Sequence, residues 1–145
     1  MSLKLEKYSF GMGDRFAHQA KAQLLACVKA ADAGVEIAPV WNKSYREHGI
    51  VGSKPPSVLA AAEAAVKELG WSKPFHIDAD HIRLEIVDEF IGSSDFYTLD
   101  VADSIGEPAS DGDVQAFVGR HPELVGRIEI PGIAEPFETT RAEIE

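Results

Sequence analysis

Four times within the first 103 residues a short apolar run passes directly into a cluster of polar side chains, and this recurrence constrains the fold more than any other property of the chain. The apolar runs at residues 8–10, 35–41, 75–78 and 96–101 have the length and composition of β-strands. The polar clusters at 11–15, 41–44, 78–81 and 100–103 each stand at the carboxyl end of one of them. Between the strands the apolar period becomes helical. Phe16, Ala20, Leu24, Cys27, Val28 and Ala31 share a helix face behind Asp14 as cap, and Gly34 ends it. Pro55-Pro56-Ser57 opens a second helix striped with Val58, Ala61, Ala62, Ala65, Val66 and Leu69, closed by Gly70. Leu84, Val87, Phe90 and Ile91 predict a shorter third helix ending at Gly92. After a loop at 107–113, Val114, Phe117, Val118 and His121 predict a helix broken by Pro122, then a fifth strand at 127–130 and a new helix from Pro136. Pro39 argues against the inner half of the second strand.

Alternation of this kind predicts an α/β fold, a parallel sheet covered by helices. An open doubly wound sheet gathers its ligand contacts at one switch point, whereas a closed barrel brings every βα loop to one mouth. One polar cluster per strand favours the barrel. Eight units need roughly 250 residues, so 145 residues supply the first four to five βα units of a partial (β/α) TIM-type barrel. The expectation is one domain over residues 1–145, a fragment of a longer barrel. An uncovered strand edge would promote self-association, so a homo-oligomer is expected.

A formal charge of −10, with 14 basic residues scattered among 24 acidic ones, argues against a nucleic-acid partner. An anionic substrate would need local cations, which Arg15, Lys43 and Arg46 provide just beyond predicted strand ends. No apolar run is long enough for a membrane span, and residues 1–7 lack the apolar stretch of a secretory signal. A cytoplasmic location follows as the expectation. Cys27, the single cysteine, falls on a predicted apolar helix face and reads as core.

The most chemically loaded segment is Asp78-Ala79-Asp80-His81. If the backbone stays extended, Asp78 and Asp80 share a face, and His81 follows where a βα loop would begin. Such a group suits a divalent cation beside a proton-transfer base, or, more plainly, a helix cap and a surface histidine. Trp41, Asn42 and Lys43 suit a polyhydroxylated anion, with the indole against the sugar skeleton and the amide and ammonium on its oxygens. A solvated loop is the plain alternative. Asp14 and Arg15 follow Gly11-Met12-Gly13, which reads either as an anion-binding loop or as a tight turn, and Arg15 suits a carboxylate clamp. Asp100, Asp103 and Asp95 are either partners that orient His81 or loop and helix caps. No second histidine stands at ligand spacing from His81, so these residues make an incomplete metal site.

Taken together, four segments resemble the tagaturonate epimerase family of bacterial hexuronate catabolism. They are residues 9–15 (Ser-Phe-Gly-Met-Gly-Asp-Arg), 39–44 (Pro-Val-Trp-Asn-Lys-Ser), 77–82 (Ile-Asp-Ala-Asp-His-Ile) and 94–103 (Ser-Asp-Phe-Tyr-Thr-Leu-Asp-Val-Ala-Asp). Members of that family are much longer chains that interconvert tagaturonate and fructuronate with a divalent metal. The resemblance implies Asp80 as proton acceptor and His81 as one metal ligand, with the other ligands and the proton donor in later parts of the family sequence. It also implies a small-molecule sugar acid as the partner. The rival readings are a metal-dependent aldolase or isomerase acting on another sugar acid, and a catalytically inactive partial barrel serving as a structural or binding module.

Overall fold

The computed structural model describes residues 5–144; the first four residues of the leader reading, and Glu145 at the end of the last predicted helix, lie outside them. The chain divides into two compact units, one ending at Ala102 and one beginning at Asp103.

The first unit is built on four parallel strands, β1 (Ser9–Gly13), β2 (Ala38–Ser44), β3 (His76–Ile82) and β4 (Phe96–Leu99), hydrogen-bonded in chain order. The order contains no reversal. Helices α1 (Ala20–Asp32) and α3 (Pro56–Leu69) pack together on one face of the sheet. There Met12, Trp41 and Ile77, aligned by the strand register, meet Leu24, Cys27, Val58, Ala62 and Ala65 in a single core. Small residues at 62 and 65 let α3 lie close. Proline opens α3 and Gly70 closes it at φ 62°, a left-handed conformation that costs glycine nothing. A smaller core of Ala79, Ile82 and Phe90 lies beyond β3. His76 ties the amino end of the sheet together, with Nε2 2.8 Å from Glu6 and Nδ1 2.9 Å from Asp95.

Several expectations shift. The second strand runs to Ser44 and absorbs Pro39, and the polar stretch after it forms helix α2 (Tyr45–Val51) instead of a loop. The third strand extends to Ile82, because buried Ala79 continues it past the first carboxylate. The helix expected over Leu84–Ile91 is a single tight turn at Val87–Glu89. Of its stripe Phe90 is buried and Val87 packs partly covered against the same core, while Leu84 and Ile91 are exposed, so the segment lacks the continuous buried face a helix would need.

The second unit contains α4 (Asp111–Arg120), β5 (Gly126–Ile128), β6 (Phe137–Thr139) and α5 (Arg141–Ile144). The expected fifth parallel strand instead pairs antiparallel with β6 in a sheet of its own. A turn with Gly132 at φ 88° helps to send the chain back. Residues 137–139, expected as helix, are strand, in keeping with their aromatic and β-branched composition; the helix starts only after Thr140, whose hydroxyl and amide both donate to Glu143. No helix among the described residues is long and apolar enough to cross a membrane.

Candidate functional site

Past Ala79 the pairing of β3 with β4 loses register, and His81 takes φ 57°. A side chain other than glycine adopts that left-handed region only against steric resistance. The bulge re-aims the strand end. Asp80 and His81 therefore do not lie as successive residues of a flat strand: Asp80 Oδ1 stands 2.9 Å from His81 Nδ1, with Asp80 largely covered and His81 two-thirds exposed. Their carboxylate and imidazole open on a cleft of about 490 Å³ whose walls include Arg46, Glu47, Arg83 and Asp100.

Asp100 reaches this cleft because its backbone amide still donates to Ile82 O, 3.0 Å away, continuing the sheet after β4 ends. Its Oδ2 accepts from both Nε (2.9 Å) and Nη2 (2.8 Å) of Arg83, and its Oδ1 accepts from the Ala102 amide. That amide first, and then the guanidinium, hold the carboxyl below its ordinary pKa.

The opposite wall is the start of α2. Ser44 and Glu47 form a reciprocal cap, the serine hydroxyl accepting from the Glu47 amide and the glutamate accepting from the Ser44 amide and hydroxyl. Burial would raise the Glu47 pKa. The Ser44 hydrogen bonds and Arg15, whose Nε is 3.5 Å away, outweigh it and bring the value down. Arg15 thus meets the cleft through Glu47.

Lys43 and His48 lie beneath α2, nearly inaccessible. Lys43 Nζ donates to Ser53 Oγ at 2.9 Å, and His48 Nδ1 lies 2.8 Å from the same hydroxyl. His48 Nε2 is buried with no hydrogen-bond partner, and the ring packs edge-on against Phe90. Burial first, then the Lys43 charge, push the imidazole down to about 4, so it is neutral at physiological pH. Burial likewise lowers Lys43. The sugar-binding role expected of Lys43 does not match this position: its ammonium is spent within the fold.

Trp41 is displaced from its expected role as well. It faces the helices, fully within the core, and donates Nε1–H to Gln23, which leaves no indole face for a ligand. Asn42, on the other face of β2, lies across Gly11 and Gly13: a Cβ on Gly13 would sit 2.9 Å from Asn42 Oδ1. Close approach explains Gly13, whereas a Cβ on Gly11 would meet Asn42 Nδ2 at 3.7 Å, an ordinary contact. Neither has positive φ, and both belong to β1, so they form neither an anion loop nor a turn. Asp14 accepts the amides of Phe16, His18 and Gln19 and settles the entry to α1. Asp78, beside Asn42 in register, is buried and accepts both the amide (3.0 Å) and hydroxyl (2.8 Å) of Thr98, standing in for the ladder that the bulge interrupts. Burial raises its pKa.

The structure therefore brings Asp80, His81 and Asp100 to one cleft, with Arg15 joined to it by an ion pair. It places Asp14, Trp41, Lys43 and Asp78 in supporting contacts. Asp103 belongs to the second unit. Asp95 serves His76 and Ile77, so the carboxylate that orients His81 is Asp80 itself. Arg83 and Glu47 join the cleft without a place among the residues expected from the sequence. The Ser44-x-x-Glu47 spacing pointed to the second, and a correct end for β3 would have pointed to the first. Among the described residues no three His, Cys, Asp or Glu side chains come together to hold a metal ion, so these donors do not by themselves compose a divalent-metal site. A larger groove of about 650 Å³, lined by Tyr8, Glu36, Trp71 and Lys73, lies at the amino ends of the strands.

A sequence profile of the tagaturonate epimerase family matches residues 1–129. No curated protein sequence matches the chain. Three crystal structures of the fructuronate-tagaturonate epimerase from Cohnella laeviribosi are similar in fold: two glycerol complexes (TM-scores 0.61 and 0.60, each 19% identical) and the native form (0.59, 20% identical). Each match covers 94% of this chain and 30% of the other, so the chain spans less than a third of the length of these relatives.

Proposed function

The chain belongs to the tagaturonate epimerase family, and from that membership we propose that it contributes the Asp80–His81 cleft to the interconversion of tagaturonate and fructuronate by inversion at the fourth carbon. The observation that carries this reading is the convergence of Asp80, His81 and Asp100 at the carboxyl ends of adjacent strands, where (β/α) barrels place their chemistry. Sequential strand order with α1 and α3 on one face supports a barrel wall over a doubly wound sheet, which would reverse its order at the binding crevice. We read the four units as part of such a barrel.

The fourth carbon is β to the ketone, so its hydrogen is not acidified and simple enolisation cannot invert it. Asp80 instead accepts the proton of the C4 hydroxyl. The C3–C4 bond then breaks, its electron pair passing to C3 as an enediolate while C4 becomes an aldehyde carbon. After the aldehyde turns over, the bond re-forms on its other face and Asp80 returns the proton to the C4 oxygen. His81 holds the Asp80 carboxylate through Nδ1 and keeps Nε2 available as one donor to a divalent metal, whose remaining ligands this reading assigns to other parts of the family sequence. Such an ion would supply charge stabilisation at the substrate oxygens.

The test is conversion of tagaturonate in D2O, followed by NMR, by the chain joined to the later segments of a family enzyme that carry the remaining metal ligands. The proposal expects fructuronate with its C4 hydrogen retained, and a rate reduced by about 10²–10⁴-fold in Asp80→Asn. Deuterium at C4 would rule out the cleavage route. Absence of conversion by that joined enzyme, or indifference to the substitution, would contradict the role assigned to the Asp80–His81 cleft.

A further inference from the structure

Three arginines line or adjoin the cleft, and their engagements differ. Arg15 is paired with Glu47 at 3.5 Å. Arg83 is paired through two nitrogens with Asp100. The side chain of Arg46, on the exposed side of α2 and part of the cleft wall, has no hydrogen bond or ion pair with any described residue. This is unusual in a chain carrying 24 acidic residues against 14 basic ones. The acidic groups of the same wall are already engaged: Glu47 by Ser44 and Arg15, Asp80 by His81, and Asp100 by Arg83 and the Ala102 amide. The planar fork of a guanidinium matches a carboxylate with two parallel hydrogen bonds, a geometry that a lysine cannot reproduce.

We infer that Arg46 receives the carboxylate of the sugar acid, and that it, in place of Arg15, determines the preference for an acid over a neutral sugar. The inference rests on the sugar-acid reading of the cleft. Anchoring at Arg46 fixes the anionic end of the substrate on α2, across the cleft from the carboxylate that handles the proton. Arg15 keeps a different duty as the partner of Glu47, so its loss disturbs the cap of α2 before it disturbs recognition.

The test uses the intact chain with ¹⁵N-labelled arginine, titrated separately with tagaturonate and with tagatose, the neutral ketohexose that carries a hydroxymethyl group where the acid carries its carboxylate. The Arg46 Nε–H resonance should shift with tagaturonate and stay fixed with tagatose. Affinity for tagaturonate should exceed that for tagatose by about tenfold or more. Arg46→Gln should erase that difference by weakening the acid alone, Arg46→Lys should restore only part of it, and Arg15→Gln should leave it in place. If the Arg15 or Arg83 resonance responds instead and Arg46→Gln keeps the preference, the inference falls while the sugar-acid reading stands. If neither compound perturbs any arginine or cleft amide, the reading falls and the inference with it.

Discussion

Asp80 and His81, adjacent in the chain, face each other through a 2.9 Å contact between Oδ1 and Nδ1, and they do so because the backbone at His81 turns into the left-handed region. In a flat strand successive side chains point to opposite faces. The bulge thus converts neighbours in sequence into partners, with the carboxylate set against the Nδ1 edge of the imidazole.

Asn42 lies against Gly13 too closely for a side chain there. Gly13→Ala would place a methyl group 2.9 Å from Asn42 Oδ1, and the expected cost is about 1–3 kcal/mol by urea denaturation. Gly49→Ala, inside α2 with open space around it, should stabilise by up to about 1 kcal/mol. Equal effects at the two positions would contradict the packing argument.

Ser53 holds two buried groups with one hydroxyl. Ser53→Ala leaves the Lys43 ammonium and His48 Nδ1 without a partner and should cost about 1–3 kcal/mol. Lys43→Met, which removes the charge and fills the same space, should be near neutral or stabilising. Denaturation midpoints of the two variants decide the point.

The two buried histidines shift in opposite directions. His48 has its pKa lowered to about 4 from an ordinary 6.5, so the unfolded chain binds the extra proton between those values. Its contribution to stability is present above about pH 6.5 and is lost as pH falls toward 4. His76 is the reverse: burial would lower it, but Glu6 and Asp95 outweigh burial and raise it. Its contribution is complete below the unfolded pKa and disappears as pH rises through the folded one. Stability profiles of His48→Gln and His76→Gln, each against the unsubstituted chain, should therefore diverge from it at opposite ends of the pH range.

Ser44→Ala removes the hydroxyl that accepts the Glu47 amide. A loss of about 1 kcal/mol is expected, together with increased mobility of Arg15 and Glu47 visible in side-chain NMR relaxation. An unchanged stability would mean that the cap does not hold α2.

Much of this architecture was legible in the residues. The bounds of α3 follow from prolines and a glycine that act through backbone geometry alone, and these signals survive any tertiary context. All four parallel strands show in the hydropathy pattern, but β2 and β3 run beyond it, because Asn42-Lys43-Ser44 and Asp80-His81 are polar yet stay within the sheet. Lys43 and Ser44 are buried polar groups that local partners satisfy, an arrangement no hydropathy pattern reports. Trp41 lies on the face opposite to the one a ligand-binding role requires. Within a strand that runs on to Ser44, strict alternation sends position 41 to the helices and position 42 to the opposite side. The bulge at His81 had no signal at all in composition, since no glycine marks it.

The central claim is that the sugar acid binds at the carboxyl ends of the strands, and backbone amide shifts of the ¹⁵N-labelled chain on titration with tagaturonate test it most directly. The account predicts that perturbations concentrate at residues 44–47, 80–83 and 100, around the Asp80–His81 pair. Perturbations confined to the groove at the other end of the sheet, at Tyr8, Glu36, Trp71 and Lys73, would contradict it.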